Sequence, residues 1–505
     1  MLFNSFTFIL LFLPTTLFGY VILGSWRRKW AAAWLVVASM TFYAYWDPRY
    51  LPLLLTSIFV NFLAGRILAN FLPNKTVLRR LFFALSIGFN LALLGYFKYA
   101  NFFVATFADA TGFDFVIPKI ILPLGVSFFT FTQIAFLVDV YRSEASEAKL
   151  LHYILFVTYF PHLIAGPILH HKEMMSQFEQ PETYRFNSTN LVTGCVIFII
   201  GLSKKVVLAD GIAVYATPVF DAAAKGQRLL MPDAWGGALA YAFQLYFDFS
   251  GYCDMAIGAS LLFGIALPLN FNSPYKSRSI IEFWQRWHMT LSRFLRDYLY
   301  IPLGGNRKGS GRQYLNLFIT MLLGGLWHGA GWPFVIWGAL HGFYLMINHT
   351  FRAMKKNVNL DFSHFIGSAA SWILTFLAVV IGWVFFRAES LDAAVKILAG
   401  MANIAPCVAQ DDCTASIATF HQSSHAPPVW MWVSLLFGIA VLAPNTQEIM
   451  RDHLHGIARP ARSAYFLRMP MALQTSRSWA MAVGTILALG LGCLSQSTNF
   501  LYFNF

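Results

Sequence analysis

Residues 282–342 read EFWQRWHMTLSRFLRDYLYIPLGGNRKGSGRQYLNLFITMLLGGLWHGAGWPFVIWGALHG. Three textures follow one another here. An amphipathic stretch rich in Arg and Trp comes first, then the Gly-rich basic loop PLGGNRKGSGR over 302–312, then an apolar run ending in Trp327-His328-Gly329. The run Leu317–Trp327 has 11 residues. At ~1.5 Å per helical residue it covers about half of a ~30 Å hydrocarbon core. A run that starts at the cytoplasmic interface therefore places His328 near the bilayer midplane. Gly329, Gly331 and Pro333 break the helix there before the apolar sequence resumes. An ionisable side chain at such a break is tolerated where protein or a water-filled cavity surrounds it. His328 is thus expected to line an internal site, with a proton-relay or packing role as the other reading. His341, in WGALHG, reads as structural.

Upstream, a helical wheel started at Trp284 puts Trp287, Leu291, Phe294, Leu295 and Tyr298 on one face, with Glu282, Arg286, Arg293, Arg296 and Asp297 on the other. The pattern predicts an amphipathic helix at the cytoplasmic interface with its basic face toward water or headgroups. His288 falls on the flank of the apolar face and is expected to point inward, as a packing residue or as a functional one. The loop that follows lacks the spacing of a Walker A phosphate loop. Arg307, Lys308 and Arg312, with backbone N–H groups, suit a phosphorylated donor on the cytoplasmic side. They equally suit a plain positive-inside topology signal.

The surrounding chain sets the medium. Its 505 residues are 57% hydrophobic and 12% charged, against roughly 25% charged in soluble domains. That is too little charge to cover a water-facing surface, so the sequence specifies an all-α polytopic membrane protein. A net charge of +13 fits basic loops facing anionic lipid rather than nucleic acid. Apolar runs fall at 6–24, 30–45, 51–71, 81–98, 119–140, 150–169, 190–209, 234–266, 332–349, 364–386, 428–446 and 479–496, or about 11–12 spans in a single domain over 1–505. Residues 6–24 read as a retained first span, because the charges Arg27, Arg28 and Lys29 follow the apolar core. Basic clusters at 27–29, 75–80, 276–312, 352–356 and 451–477 read as cytoplasmic, and 101–116 and 399–428 as external. Both termini then lie outside, and at least one segment between 119 and 332 must be re-entrant or split.

Polar residues inside apolar runs need partners or a wet cavity. Gln244, Asp248, Ser250 and Asp254 lie within 241–258. The two carboxylates are six apart and so not on one helix face. Either they pair with arginines of 276–312 or they line a substrate path. In PHLIAGPILHH (161–171), Pro161 and Pro167 interrupt a helix, and His170-His171 read as interfacial polar residues. Cys407 and Cys413 sit in the 399–428 loop, where an external disulfide and two free thiols are both open. Cys195, Cys253 and Cys493 read as small packing residues, and no metal is indicated.

Buried histidines without a cysteine nucleophile or a metal cluster suit acyl transfer to an alcohol. A neutral imidazole takes the hydroxyl proton as the oxygen attacks a thioester carbon, and hydrogen-bond donors stabilise the oxyanion. At these residues the sequence resembles a known family. FWQRWHMTLSRFLRDYLYIPLGGNR, LLGGLWHGAGWPFVIWGALHG and QLYFDFSGYCDMAIG are similar to the membrane-bound O-acyltransferases, in particular to their alginate O-acetylation branch. YFKYANFF (96–103), PHLIAGPI (161–168) and IGWVFFRAE (381–389) match the same branch, and the likeness weakens mainly over 400–480.

The resemblance implies a multi-helix fold with broken or re-entrant helices and a central tunnel across the bacterial inner membrane. It implies acetyl-CoA as cytoplasmic donor, a periplasmic acetyltransferase- or esterase-like partner and O-acetylation of an exopolysaccharide of the alginate type. Peptidoglycan O-acetylation and teichoic-acid D-alanylation use similar membrane subunits; a non-catalytic transporter or scaffold is the alternative class. Carried over by motif, His328 is the catalytic base and His288 its orienting or oxyanion-stabilising partner, with Trp327 beside them. Related systems carry an aromatic tail like the one over 498–505 here, which makes Tyr502 an expected acyl acceptor and relay; an aromatic interfacial anchor is the other reading.

Overall fold

The computed structural model describes residues 1–71, 76–113, 120–146, 149–358, 364–404, 428–451, 453, 476–496, 498 and 500–501. Helices and no strands make up these residues. Two compact units emerge: residues 1–199 with 252–269, and residues 200–251 with 270–454 and 459–505; the short stretch 455–458 groups with the first. Among the described residues, five helical stretches are long and apolar enough to cross a membrane, namely Thr7–Trp26, Pro48–Asn70, Val77–Thr111, Ser188–Ala224 and Gly367–Arg387.

The first unit runs through α1 (Leu13–Trp26), α2 (Arg28–Ala44), α3 (Leu51–Asn70), α4 (Val77–Leu94), α5 (Ala100–Thr111), α6 (Val126–Tyr141), α7 (Leu150–Thr158), α8 (Phe160–Leu163), α9 (His171–Glu179) and most of α10 (Ser188–Ser203). Local chemistry sets several ends. Pro52 opens α3, where its missing N–H has no helical partner to lose. The Thr76 hydroxyl caps α4 by accepting from the Arg79 N–H at 3.2 Å. The core is a cluster of Phe3, Phe8, Phe12, Phe42 and Phe160, each ring 4.8–6.1 Å from a neighbour.

In the stretch 101–116, which the charge pattern placed outside, α5 carries the chain helically to Thr111, joined to α4 by a π-helical turn. No Gly or Pro interrupts α5 before Gly112, whose φ of +72° ends it. The expected break near Pro161 is present, between α7 and α8. The groups it frees find partners. Phe160 N–H donates to the Ser39 hydroxyl at 3.1 Å, and His162 Nε2 donates to the Phe156 carbonyl at 2.8 Å. His171, which the sequence marked as polar, is buried between Phe136 and Phe156.

The second unit contains α11 (Asp210–Ala224), α12 (Met231–Leu262, whose turns from 252 onward belong to the first unit), α13 (Ile280–Trp284), α14 (Met289–Leu295), α15 (Gly309–His328), α16 (Trp332–Val358), α17 (His364–Arg387), α18 (Leu391–Met401), α19 (Val429–Leu442), α20 (Thr446–Ile449) and α21 (Arg477–Cys493). The pair α15–α16 is an antiparallel hairpin whose tip is 329–331. A side chain at Gly325 would fall 2.3 Å from the Phe334 carbonyl and 2.9 Å from Gly338 Cα, and one at Gly338 would fall 2.5 Å from the Met321 carbonyl. Only hydrogen at both positions lets the backbones meet. The break after His328 is thus a reversal of direction, not a kink within one crossing helix.

Candidate active site

His288 does not lie on a continuous amphipathic helix. Helix α13 stops at Trp284, and α14 starts at Met289. Between them His288 adopts φ +43° and ψ +54°, a left-handed conformation that costs free energy for a residue with a Cβ. The wheel drawn through 284–298 therefore fails, and Arg286, expected on the water-facing side, is buried and paired with Glu282 at 2.7 Å. The strained turn is held by the segment beside it. Asn272 N–H donates to the Arg286 carbonyl at 2.9 Å, and Met289 N–H donates to the Asn270 carbonyl at 3.0 Å.

The same segment fixes the ring. Asn270 Oδ1 accepts from the Thr290 N–H at 3.2 Å and from the Thr290 hydroxyl at 2.9 Å. A backbone N–H only donates, so this atom is the amide oxygen. His288 Nδ1, 3.1 Å away, must then be the protonated nitrogen. In the neutral ring the lone pair resides on Nε2. The ring is fully buried and meets Phe249 edge to face at 4.8 Å.

His328 closes α15 and is also buried. Its ring is walled by Trp327 at 4.9 Å, Trp337 at 5.0 Å and Phe386 at 5.1 Å. The fold brings the two histidines together, 6.3 Å between ring centroids. A direct hydrogen bond between two ring nitrogens needs about 3 Å between them, and this spacing suits two imidazoles addressing one reacting group instead. Trp327 completes the cluster, 6.4 Å from His288.

The other expected site residues divide. Gln244, Asp248, Ser250 and Asp254 are all buried. Asp248 does not pair with an arginine of 276–312: its partner is Lys205, at 2.7 Å. The reason is a close approach of backbones. A side chain at Gly251 would fall 2.7 Å from the Gly201 carbonyl, so α12 lies against the chain at 201–205 and Lys205 reaches Asp248. Arg307 and Lys308 are exposed on the 301–308 turn. His341 Nδ1 accepts from the Trp284 indole N–H at 3.3 Å. Cys407, Cys413 and Tyr502 lie outside the described residues, as does most of 399–428.

Sequence reasoning missed Asn270 and the buried cluster of Lys205 and Asp210 around Asp248. Asn270 had a weak signal, one amide in the apolar run LPLNF. Lys205 had a strong one: Lys204-Lys205 sits inside the apolar stretch 190–209, where a charge needs a partner.

A buried, tautomer-fixed imidazole thus lies beside a second one in an all-helical membrane chain. The model of the MBOAT, membrane-bound O-acyltransferase family matches residues 124–388, more than half of the chain, and the chain belongs to that family. It is an acyltransferase of the membrane. A peptidoglycan O-acetyltransferase of Helicobacter pylori is 39% identical over 100% of this chain and 98% of its own length. A probable alginate O-acetylase AlgI of Pseudomonas putida is 44% identical over 79% of this chain and 80% of its own. A teichoic acid D-alanyltransferase of Streptococcus thermophilus is 32% identical over 47% of this chain and 59% of its own.

Proposed function

We propose that this chain is a transmembrane O-acetyltransferase that takes acetyl from cytoplasmic acetyl-CoA and delivers it, through a periplasmic partner, to a polysaccharide outside the inner membrane. The observation that carries this reading is the buried pair His288–His328, 6.3 Å apart. In the transfer step an acceptor hydroxyl oxygen attacks the thioester carbon. His328 takes the hydroxyl proton, the C–O bond forms, the C–S bond breaks, and the proton returns to the departing CoA sulfur. His288, with Nδ1–H committed to Asn270, acts through the lone pair on Nε2 and orients a donor there. Stabilising an oxyanion from Nε2 requires the protonated ring. Arg307 and Lys308 meet the phosphates of the donor.

The acceptor at this site is the Tyr502 hydroxyl, which relays acetyl to the partner. Phe500, two residues earlier, is buried against Phe249 at 5.9 Å, and Phe249 in turn touches the His288 ring. Two residues of extended chain reach ~7 Å, so the tyrosine has the length to approach the pair. Similarity across the whole chain to the Helicobacter pylori enzyme favours peptidoglycan as the final acceptor. The higher identity to the alginate-type relatives, over 79% of the chain, favours an exopolysaccharide as the second reading. Deleting the gene and measuring base-labile acetate on both polymers tests the choice: the acceptor polymer loses its acetate and the other keeps it.

A further inference from the structure

The group of charges around Lys205 has no role in the chemistry above. Lys205, Asp210 and Asp248 are each less than one-tenth exposed. Lys205 Nζ lies 2.7 Å from Asp210 Oδ1 and 2.7 Å from Asp248 Oδ1. One ammonium thus faces two carboxylates, and a buried carboxylate needs further donors to offset its lost hydration. The 498–501 segment supplies them. Thr498 donates its hydroxyl to Asp210 Oδ1 at 2.6 Å and its N–H to Asp210 Oδ2 at 3.3 Å, while its hydroxyl oxygen accepts from Lys205 Nζ at 3.2 Å. Leu501 N–H donates to Asp248 Oδ2 at 3.0 Å. Between these two anchors, Phe500 is 1% exposed.

The location gives the contact a purpose. Asp248 sits near the middle of the 32-residue α12, and Phe249, next in sequence, contacts both the Phe500 ring and the His288 ring. A hydrogen bond from a backbone N–H to a carboxylate fixes chain position whatever the side chain. Leu501 is held in this way immediately before Tyr502.

We propose that Lys205, Asp210 and Asp248 form a buried docking site for Thr498 and Leu501 of this chain, and that they act as positioning residues for the chain that leads to the histidine pair. The site is a receptor for peptide N–H groups and one hydroxyl, with the ammonium holding the two carboxylates at the spacing of Thr498 and Leu501. This rests on the relay reading of Tyr502 for its purpose, though not for its geometry.

The test uses the full chain in native membranes, with its five cysteines replaced and a single probe introduced by Asn504→Cys. The rate of modification by a membrane-impermeant maleimide reports how firmly the segment is docked. Asp248→Asn removes one acceptor charge, and Thr498→Val changes only the segment, so the second variant decides if the first does not fold. Both are expected to raise the modification rate about tenfold, the worth of one charge-assisted hydrogen bond, while Asp248→Glu stays near the parent. Turnover of acetyl-CoA with hydroxylamine as a small acceptor should persist in both. An unchanged modification rate in both variants overturns the docking site. Loss of hydroxylamine turnover in both makes the cluster scaffold alone and overturns the positioning role. A raised rate combined with full polymer acetylation in Tyr502→Phe keeps the docking site and removes the relay.

Discussion

His288 pays for its position with a left-handed backbone, and the bonds around Asn270 hold it there. Replacing Asn270 with Ala takes away the partner that sets the tautomer. Turnover is expected to fall about tenfold, the cost of one lost buried hydrogen bond, with the protein still folded by its thermal midpoint. On the proposed mechanism His328→Ala removes the base, and acetyl transfer is expected to fall ~10²–10⁴-fold. The exposed pair Arg307 and Lys308 belongs to donor binding in this account. Changing both to Gln should raise KM for acetyl-CoA several-fold at low salt, leave kcat in place, and lose its effect as salt screens the loop. These residues show how far sequence reaches. His328 was legible because Gly329, Gly331 and Pro333 announce the end of its helix. The turn at His288 was not, because a helical wheel assumes regular dihedrals and cannot register one residue at positive φ.

At the scale of elements, the hairpin α15–α16 presents His328 at its tip, and glycine contact sets the spacing of its two helices. Gly325→Ala inserts a methyl 2.3 Å from the Phe334 carbonyl. The strain is expected to cost about 1–3 kcal/mol, read as a lower thermal midpoint in detergent together with reduced turnover, because the tip moves with the helices. The sequence placed a break at 329–333 but left the direction of the next helix open. Direction is a property of packing: Gly325, Gly338 and Met321 meet across the hairpin, and no periodicity encodes that meeting. The partner of Asp248 was hidden for the same reason. Lys205 reaches it through the Gly201–Gly251 approach of two segments far apart in the chain. The positions of the long apolar helices, by contrast, follow from run length alone, which is why Thr7–Trp26 and Pro48–Asn70 match their expected spans.

For the molecule as a whole, the account joins a cytoplasmic donor to an external acceptor through one buried histidine pair. The family assignment was legible in the Trp-His-Gly and Arg-Trp-His motifs, whereas the acceptor polymer is written in no local pattern. The most direct measurement follows labelled acetyl from acetyl-CoA with the purified full-length protein in lipid nanodiscs, comparing the parent chain with His328→Ala and Tyr502→Phe. The account predicts that the parent consumes acetyl-CoA and carries label on Tyr502, that His328→Ala does neither, and that Tyr502→Phe loses the bound label. Undiminished acetyl-CoA consumption by a folded His328→Ala protein would contradict it.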